Sequence, residues 1–403
     1  QSKNMVKALE QVGAPYETIW VEGGNHGMGI AREQPVLNQI VDFFDRALKP
    51  KQADQVESNA TNAETLKWWR DAKFGLFIHW GPSSLTGEEI SWARAGERPG
   101  LEDLLPGTIP VEEYDNLYKK FNPTEFNARE WIDIAQEAGM KYIVFTTKHH
   151  DGFCMFDSQL TDYDITQSPF QRDIVAEIAK ACHEARFGLG FYYSLPDWRH
   201  PDYKTDHHDG YIKYLRGQVR ELCENYGPVD ILWFDGKRQG TPETWDSDNL
   251  IRMIRRLQPK ILINDRVWGE TDFHTPEQVI GRFEPDRPWE SCITIGHQWS
   301  WKPNEQLKSW QECVRLLALV VGGGGNLLFN IGPMPSGAIE PRQVECLERI
   351  GDWLERYGES IYSTSAGPLE PSYWGASTHR DNSLYLHILK GWETDLELPP
   401  IER

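Results

Sequence analysis

Three carboxylates stand where a pair of acid–base groups could work on one bond. Asp235 follows the wholly apolar run Ile231-Leu232-Trp233-Phe234, so a charge ends what reads as a buried strand. Glu277, in Asp272-Phe273-His274-Thr275-Pro276-Glu277, and Glu290, in Pro288-Trp289-Glu290, lie downstream. Two carboxylates flanking a glycosidic bond are the minimum for hydrolysis through an oxocarbenium-like transition state, one as nucleophile and one as acid/base. Polar and aromatic groups end other apolar runs in the same way: His79-Trp80, Lys148-His149-His150-Asp151, Tyr192-Tyr193-Ser194 and Asn264-Asp265-Arg266. One strand-end histidine is usually a satisfied structural residue, and Asp before Gly is often turn chemistry. A succession of such ends instead suits a ligand rich in hydroxyls. No metal is expected. His149 and His150 are adjacent and would face opposite sides of a strand, and no His-x-His or His-Glu-x-x-His occurs among these ends.

The pattern between these groups supplies the elements that must position them. Apolar runs read as strands at 74–79, 142–147, 188–194, 231–235, 261–265, 291–295 and 326–331. They alternate with amphipathic helices at 124–138, 174–186, 211–226, 247–257, 309–319 and 341–357. Alternation over about 300 residues predicts a parallel sheet, and its length favours a TIM-type (β/α) barrel, whose chemistry sits at the C-terminal strand ends. The glycine run at 322–325 precedes a strand, where a dinucleotide fingerprint must open a helix, so a Rossmann reading is discarded.

The domain reading is fourfold. Residues 66–365 form the catalytic barrel. Residues 366–403, with strand-like alternation at 383–389 and a hint of another at 396–398, are the start of a β-sandwich cut short. Residues 50–65 are polar and aperiodic, a linker. Residues 1–49 run helix, strand, Gly23-Gly24-Asn25-His26-Gly27, helix. They resemble the C-terminal end of an α/β-hydrolase of the prolyl-oligopeptidase type, with His26 in the place of the triad base. No G-x-S-x-G nucleophile elbow occurs anywhere in the chain, so this segment reads as a catalytically dead remnant.

Composition narrows the ligand. The 42 Lys+Arg against 61 Asp+Glu give a net charge of −19, which disfavours nucleic acid and anionic membrane surfaces as partners. No apolar run approaches the roughly 20 residues of a membrane span. The 17 Trp, 15 Tyr and 16 Phe often adjoin polar residues, a pattern suited to the C–H faces and hydroxyls of a pyranose. Six scattered cysteines form no C-x-x-C pair and read as buried thiols. The chain opens at Gln1 without a charged n-region and apolar h-region, which leaves the compartment open.

Five motifs in order carry a family resemblance over about residues 64–375. They are Phe77-Ile78-His79-Trp80-Gly81-Pro82, Lys148-His149-His150-Asp151-Gly152-Phe153, Trp233-Phe234-Asp235-Gly236, Asn264-Asp265-Arg266 and the stretch from Gly324-Gly325-Asn326 to Ile331-Gly332-Pro333. Together they resemble an α-L-fucosidase of glycoside hydrolase family 29. The resemblance implies a (β/α) barrel with a C-terminal β-sandwich, no cofactor or metal, and retaining hydrolysis of terminal α-L-fucose through a covalent fucosyl-enzyme. Fucosylated oligosaccharides or glycoconjugates are the implied partners, a secreted or periplasmic location the implied compartment, and the oligomeric state stays open. By motif, Asp235 matches the nucleophile. His79, His149, His150, Tyr193 and Arg266 match groups that hold the fucose hydroxyls and ring, and Trp299 matches the aromatic under the C5 methyl. Glu89 and Trp92, in Gly87-Glu88-Glu89-Ile90-Ser91-Trp92, loosely match the pair near the 4-hydroxyl. Both Glu277 and Glu290 remain acid/base candidates, the first preferred. The alternative is a non-catalytic fucose-binding protein on the same scaffold.

Overall fold

Seven short strands, buried on both faces, need helices over one face and a packed interior on the other. The computed structural model, which describes residues 62–389, shows this arrangement. Helix α1 (Ala63–Ala72) leads into β1 (Phe74–Ile78), beginning inside the stretch read as a linker. Then follow α2 (Ala128–Glu137), β2 (Tyr142–Lys148), α3 (Ile174–Ala185), β3 (Gly188–Ser194), α4 (His208–Asn225) and β4 (Ile231–Asp235). After α5 (Ser247–Leu257), β5 (Leu262–Ile263) and β6 (Glu290–Thr294) come α6 (Trp310–Gly322), β7 (Asn326–Ile331) and α7 (Pro341–Tyr357). Side chains fix several helix starts. Asn127 accepts from Arg129 and Glu130 N–H, Asp173 accepts from Ala176 N–H, and Ser309 with Glu312 forms a capping box.

The strands make one parallel sheet in the order β5-β4-β3-β2-β1-β7-β6, in which β1 pairs with both β2 and β7. Residues 272–278 lie between the outer strands. Asp272 N–H donates to Ile263 O and Asp265 N–H to Phe273 O on one side. On the other, Glu290 N–H donates to His274 O and Cys292 N–H to Pro276 O. Parity along the strands separates two apolar regions. Leu76, Phe191, Phe234, Ile293 and Phe329 face the helices. Phe77, Tyr142, Tyr192, Trp233, Cys292 and Leu328 pack inside the curled sheet, with Trp69 of α1 beneath them. Every residue of these seven strands is buried except Asp235.

Residues beyond α7 form a separate antiparallel sheet, β8 (Ser365–Ala366), β9 (Gly375–Arg380) and β10 (Ser383–Ile388), in the order β10-β9-β8. The sheet closes on α6 at Gly322, where a Cβ would lie 2.5 Å from that of Ala376. The strand expected at 396–398, the 1–49 segment with His26, and most of the 50–65 linker lie outside the described residues. Among the described residues, no helix is long and apolar enough to cross a membrane. All six cysteines are buried and free.

Candidate active site

The strand exits at one end of the sheet surround a cavity of about 570 Å³. Asp235 enters it from the last position of β4. The next residue, Gly236, turns the chain at φ +85°, and a Cβ there would sit 2.3 Å from the Pro196 ring. Glycine is therefore required to expose the carboxylate. Asp235 Oδ1 accepts from Arg266 Nη1 at 3.0 Å and from Gly236 N–H at 2.8 Å, and Oδ2 accepts from Tyr192 Oη at 3.1 Å. Burial pushes this carboxyl up, but the Arg266 guanidinium and the hydrogen bonds outweigh it, and the group sits below its ordinary value. It is ionised at neutral pH.

Arg266 joins two carboxylates. The same Nη1 donates to Glu277 Oε2 at 2.7 Å, while Nε donates to Thr275 Oγ1 and the guanidinium lies 4.7 Å over the Trp233 ring. Burial would lower its pKa, yet Asp235 and Glu277 raise it, so the cation is fixed. Glu277 lies at the rim with its side chain 42% exposed.

Three imidazoles line the opposite wall. His79 Nδ1 meets Asn330 Oδ1 at 2.7 Å, His149 Nδ1 meets Ser91 Oγ at 2.7 Å, and His150 Nδ1 meets Ser194 Oγ at 2.6 Å. Burial lowers all three, His79 to about 3 and His150 to about 4, so they are neutral. His149 and His150 do not face opposite sides as expected. Both lie beyond the end of β2, where the register with β3 has already shifted between Thr146 and Lys148, and both reach the cavity. Trp299 completes this wall, its ring 4.7 Å from His79 and 5.8 Å from Phe77. Trp92 also lines the cavity and meets His150 edge-on at 5.7 Å. Among the described residues, no three His, Cys, Asp or Glu side chains are grouped to hold a metal ion.

Three expected site residues stand elsewhere. Tyr193 points out of the sheet, where its hydroxyl donates to Gln218 Oε1 of α4 at 2.8 Å. Its neighbour Tyr192 has the inward parity, paired in register with Trp233, and touches Asp235. Glu290 is the first residue of β6, at the end of the sheet away from the cavity. It is sealed there beneath Trp233 and accepts from the Trp233 and Trp69 indoles and from Tyr142 Oη. It cannot reach a ligand. Glu89 does not line the cavity but braces it, accepting from Trp299 N–H at 2.7 Å and from Ser300 N–H at 3.0 Å. Tyr192 and Trp233 were the residues that motif reasoning missed. Period-two alternation from Asp235 finds Trp233, and its strand partner is Tyr192.

Comparison with known proteins adds three findings. The family model described as Alpha-L-fucosidase matches residues 44–359. The human plasma alpha-L-fucosidase is 32% identical over 368 residues, covering 82% of this chain and 77% of the relative. Two solved structures share the fold. Isoenzyme 1 of the Paenibacillus thiaminolyticus alpha-L-fucosidase has a TM-score of 0.75 at 37% identity, over 82% of this chain and 84% of that one. A trapped covalent intermediate of a Bacteroides thetaiotaomicron alpha-L-fucosidase with 2-fluoro-fucosyl fluoride has a TM-score of 0.71 at 28% identity, over 82% and 84% of the two chains.

Proposed function

The chain belongs to the alpha-L-fucosidase family, and on that premise we propose that its retaining hydrolysis of terminal α-L-fucose uses Asp235 as nucleophile and Glu277 as acid/base. One guanidinium nitrogen carries this assignment. Arg266 Nη1 lies 3.0 Å from Asp235 Oδ1 and 2.7 Å from Glu277 Oε2, so the two oxygens are no further apart than those distances end to end, 5.7 Å. Inverting enzymes hold their carboxyls roughly 6.5–9.5 Å apart to admit a water, and retaining ones about 5–5.5 Å. For this pair of oxygens the bound lies nearer the retaining spacing than the inverting one.

Asp235, ionised at the strand exit, attacks the anomeric carbon and forms a β-linked fucosyl-enzyme. Glu277, on the solvent side where an aglycone must leave, protonates the departing oxygen and then takes a proton from the incoming water. Neutral His79, His149 and His150 hold hydroxyls without competing for the charge on Asp235. Trp299 and Phe77 supply an apolar face for the C5 methyl, and Arg266, shared between the two carboxylates, offsets part of their charge in the resting site. We read the scaffold as a closed (β/α) barrel in which residues 272–278 act as the missing stave. Residues 66–365 are its catalytic domain and 366–403 the start of a β-sandwich, a reading supported by the sheet of β8, β9 and β10. Residues 1–49 keep their reading as a hydrolase-type remnant on the missing nucleophile elbow alone.

The test is the anomer released first. NMR of an aryl α-L-fucoside digest should show α-L-fucose before mutarotation. Early β-L-fucose would overturn the retaining assignment, and binding without turnover would leave the non-catalytic alternative.

A further inference from the structure

We propose that Ser194 and Asn330 are positioning residues that lock His150 and His79 as Nδ1–H tautomers, so that each presents a bare Nε2 acceptor to the sugar. The inference rests on the fucosidase reading for its ligand, but its geometry is independent of it.

The tautomers follow from counting protons. Ser194 Oγ is 2.6 Å from the Pro196 carbonyl oxygen and 2.6 Å from His150 Nδ1. A carbonyl only accepts, and a serine hydroxyl has one proton to give. That proton goes to Pro196 O, so Ser194 must accept from His150, and Nδ1 carries the hydrogen. Asn330 is fixed in the same way. Its Nδ2 lies 2.7 Å from the Trp299 carbonyl oxygen, which needs a donor, and this orients the amide with Oδ1 towards His79 Nδ1 at 2.7 Å. His79 Nδ1 must therefore donate. Burial keeps both rings neutral, so both Nε2 atoms are left with lone pairs.

The consequence is sharpest at His150. Its Nε2 lies 3.8 Å from Asp235 Oδ2, the carboxylate that attacks the anomeric carbon. A ring nitrogen so placed meets the hydroxyl on the adjacent carbon, the 2-hydroxyl. As an acceptor it draws the hydroxyl proton and leaves electron density on O2 as the oxocarbenium ion develops, when bonds to this hydroxyl strengthen. The other tautomer would point Nε2–H at Asp235 itself and weaken the nucleophile.

Long-range ¹H–¹⁵N spectra of histidine-labelled protein read the tautomers directly, with peaks assigned by loss in His150→Gln and His79→Gln. The sugar-free wild type should show both rings as Nδ1–H. Ser194→Ala should move His150 towards Nε2–H and lower kcat about tenfold with a smaller change in KM, the size of one hydrogen bond. Ser194→Thr keeps the hydroxyl and should restore both. A wild-type Nε2–H spectrum for His150 overturns the proposal, even where Ser194→Ala does not fold. So does a folded Ser194→Ala with unchanged tautomer and kcat. Because these spectra need no substrate, failure of the fucosidase reading would appear separately, as a wild type that does not hydrolyse fucosides.

Discussion

Replacing Glu290 with glutamine removes a proton-binding site sealed at the closed end of the sheet. Burial pushes its carboxyl up from 4.5 to about 7, against the opposing pull of hydrogen bonds from Tyr142, Trp233 and Trp69. The folded chain therefore holds this proton more tightly than the unfolded chain does. For an acid with a raised folded pKa, stability is complete below the unfolded value of 4.5 and is lost as pH climbs towards 7. The shift of about 2.5 pH units corresponds to about 3 kcal/mol at 1.36 kcal/mol per unit. Glu290→Gln carries a constant cost of its own, since its amide hydrogens face three donors, but no slope. Urea unfolding of both proteins at pH 5, 6, 7 and 8 separates the two effects. Wild-type stability minus variant stability should fall by about 2.5 kcal/mol between pH 5 and pH 8, the remainder being lost below pH 5. A difference that is flat with pH, or that rises, would refute the buried-proton account of Glu290.

Four further outcomes follow from the site. Asp235→Asn, nearly isosteric, should fold and lose kcat by roughly 10³-fold or more, and near-normal turnover in the folded variant would remove Asp235 as nucleophile. Glu277→Ala should lose far more activity on poor leaving groups than on aryl fucosides, and azide should rescue it to an α-fucosyl azide; rescue confined to Glu290→Ala would reverse the assignment. Arg266→Lys keeps one charge but loses the Nε and Nη2 bonds to Thr275 that hold the bridging nitrogen between Asp235 and Glu277, so kcat/KM should drop about 10²-fold; a drop of less than about threefold would count against a positioning role. The depressed folded pKa values of His79 and His150 make the chain lose stability as pH falls from 6.5 towards 4, and His150→Gln should flatten part of that acid limb in the same urea series.

Much of the scaffold was readable because the sheet is covered on both faces. Its strands are continuous apolar runs, and β3, β4 and β7 fall on the predicted bounds. β5 shrinks to two residues because the chain leaves the ladder at Asn264, whose side chain bonds back to the Phe234 N–H and carbonyl. β9, Gly375-Ala376-Ser377-Thr378-His379-Arg380, gave no signal, since small and polar residues pack there against α6 without apolar alternation. In the site, Asp235, Arg266 and the histidines were legible from motif alone. The Tyr192-Tyr193 doublet was not, because identical neighbours carry no clue to parity unless the partner strand is known.

Glu290 and Asp235 show what position along a strand decides. Both are inward-facing carboxylates of the same curled sheet, one at the first residue of β6 and one at the last of β4. At the last position the chain exits into a cavity, where Arg266 supplies a charge and holds the acid below its ordinary value. At the first position only neutral donors reach it, and burial wins, raising the acid to about 7. The side chains differ by one methylene, yet one is held ionised at the cavity and the other stores a proton. The rule that parallel-strand chemistry belongs at the C-terminal ends already separates them, because a residue that opens a strand points away from the rim. Glu277 escapes that rule by standing in the segment beside β6, at the level of Cys292, where the same interior face reaches solvent.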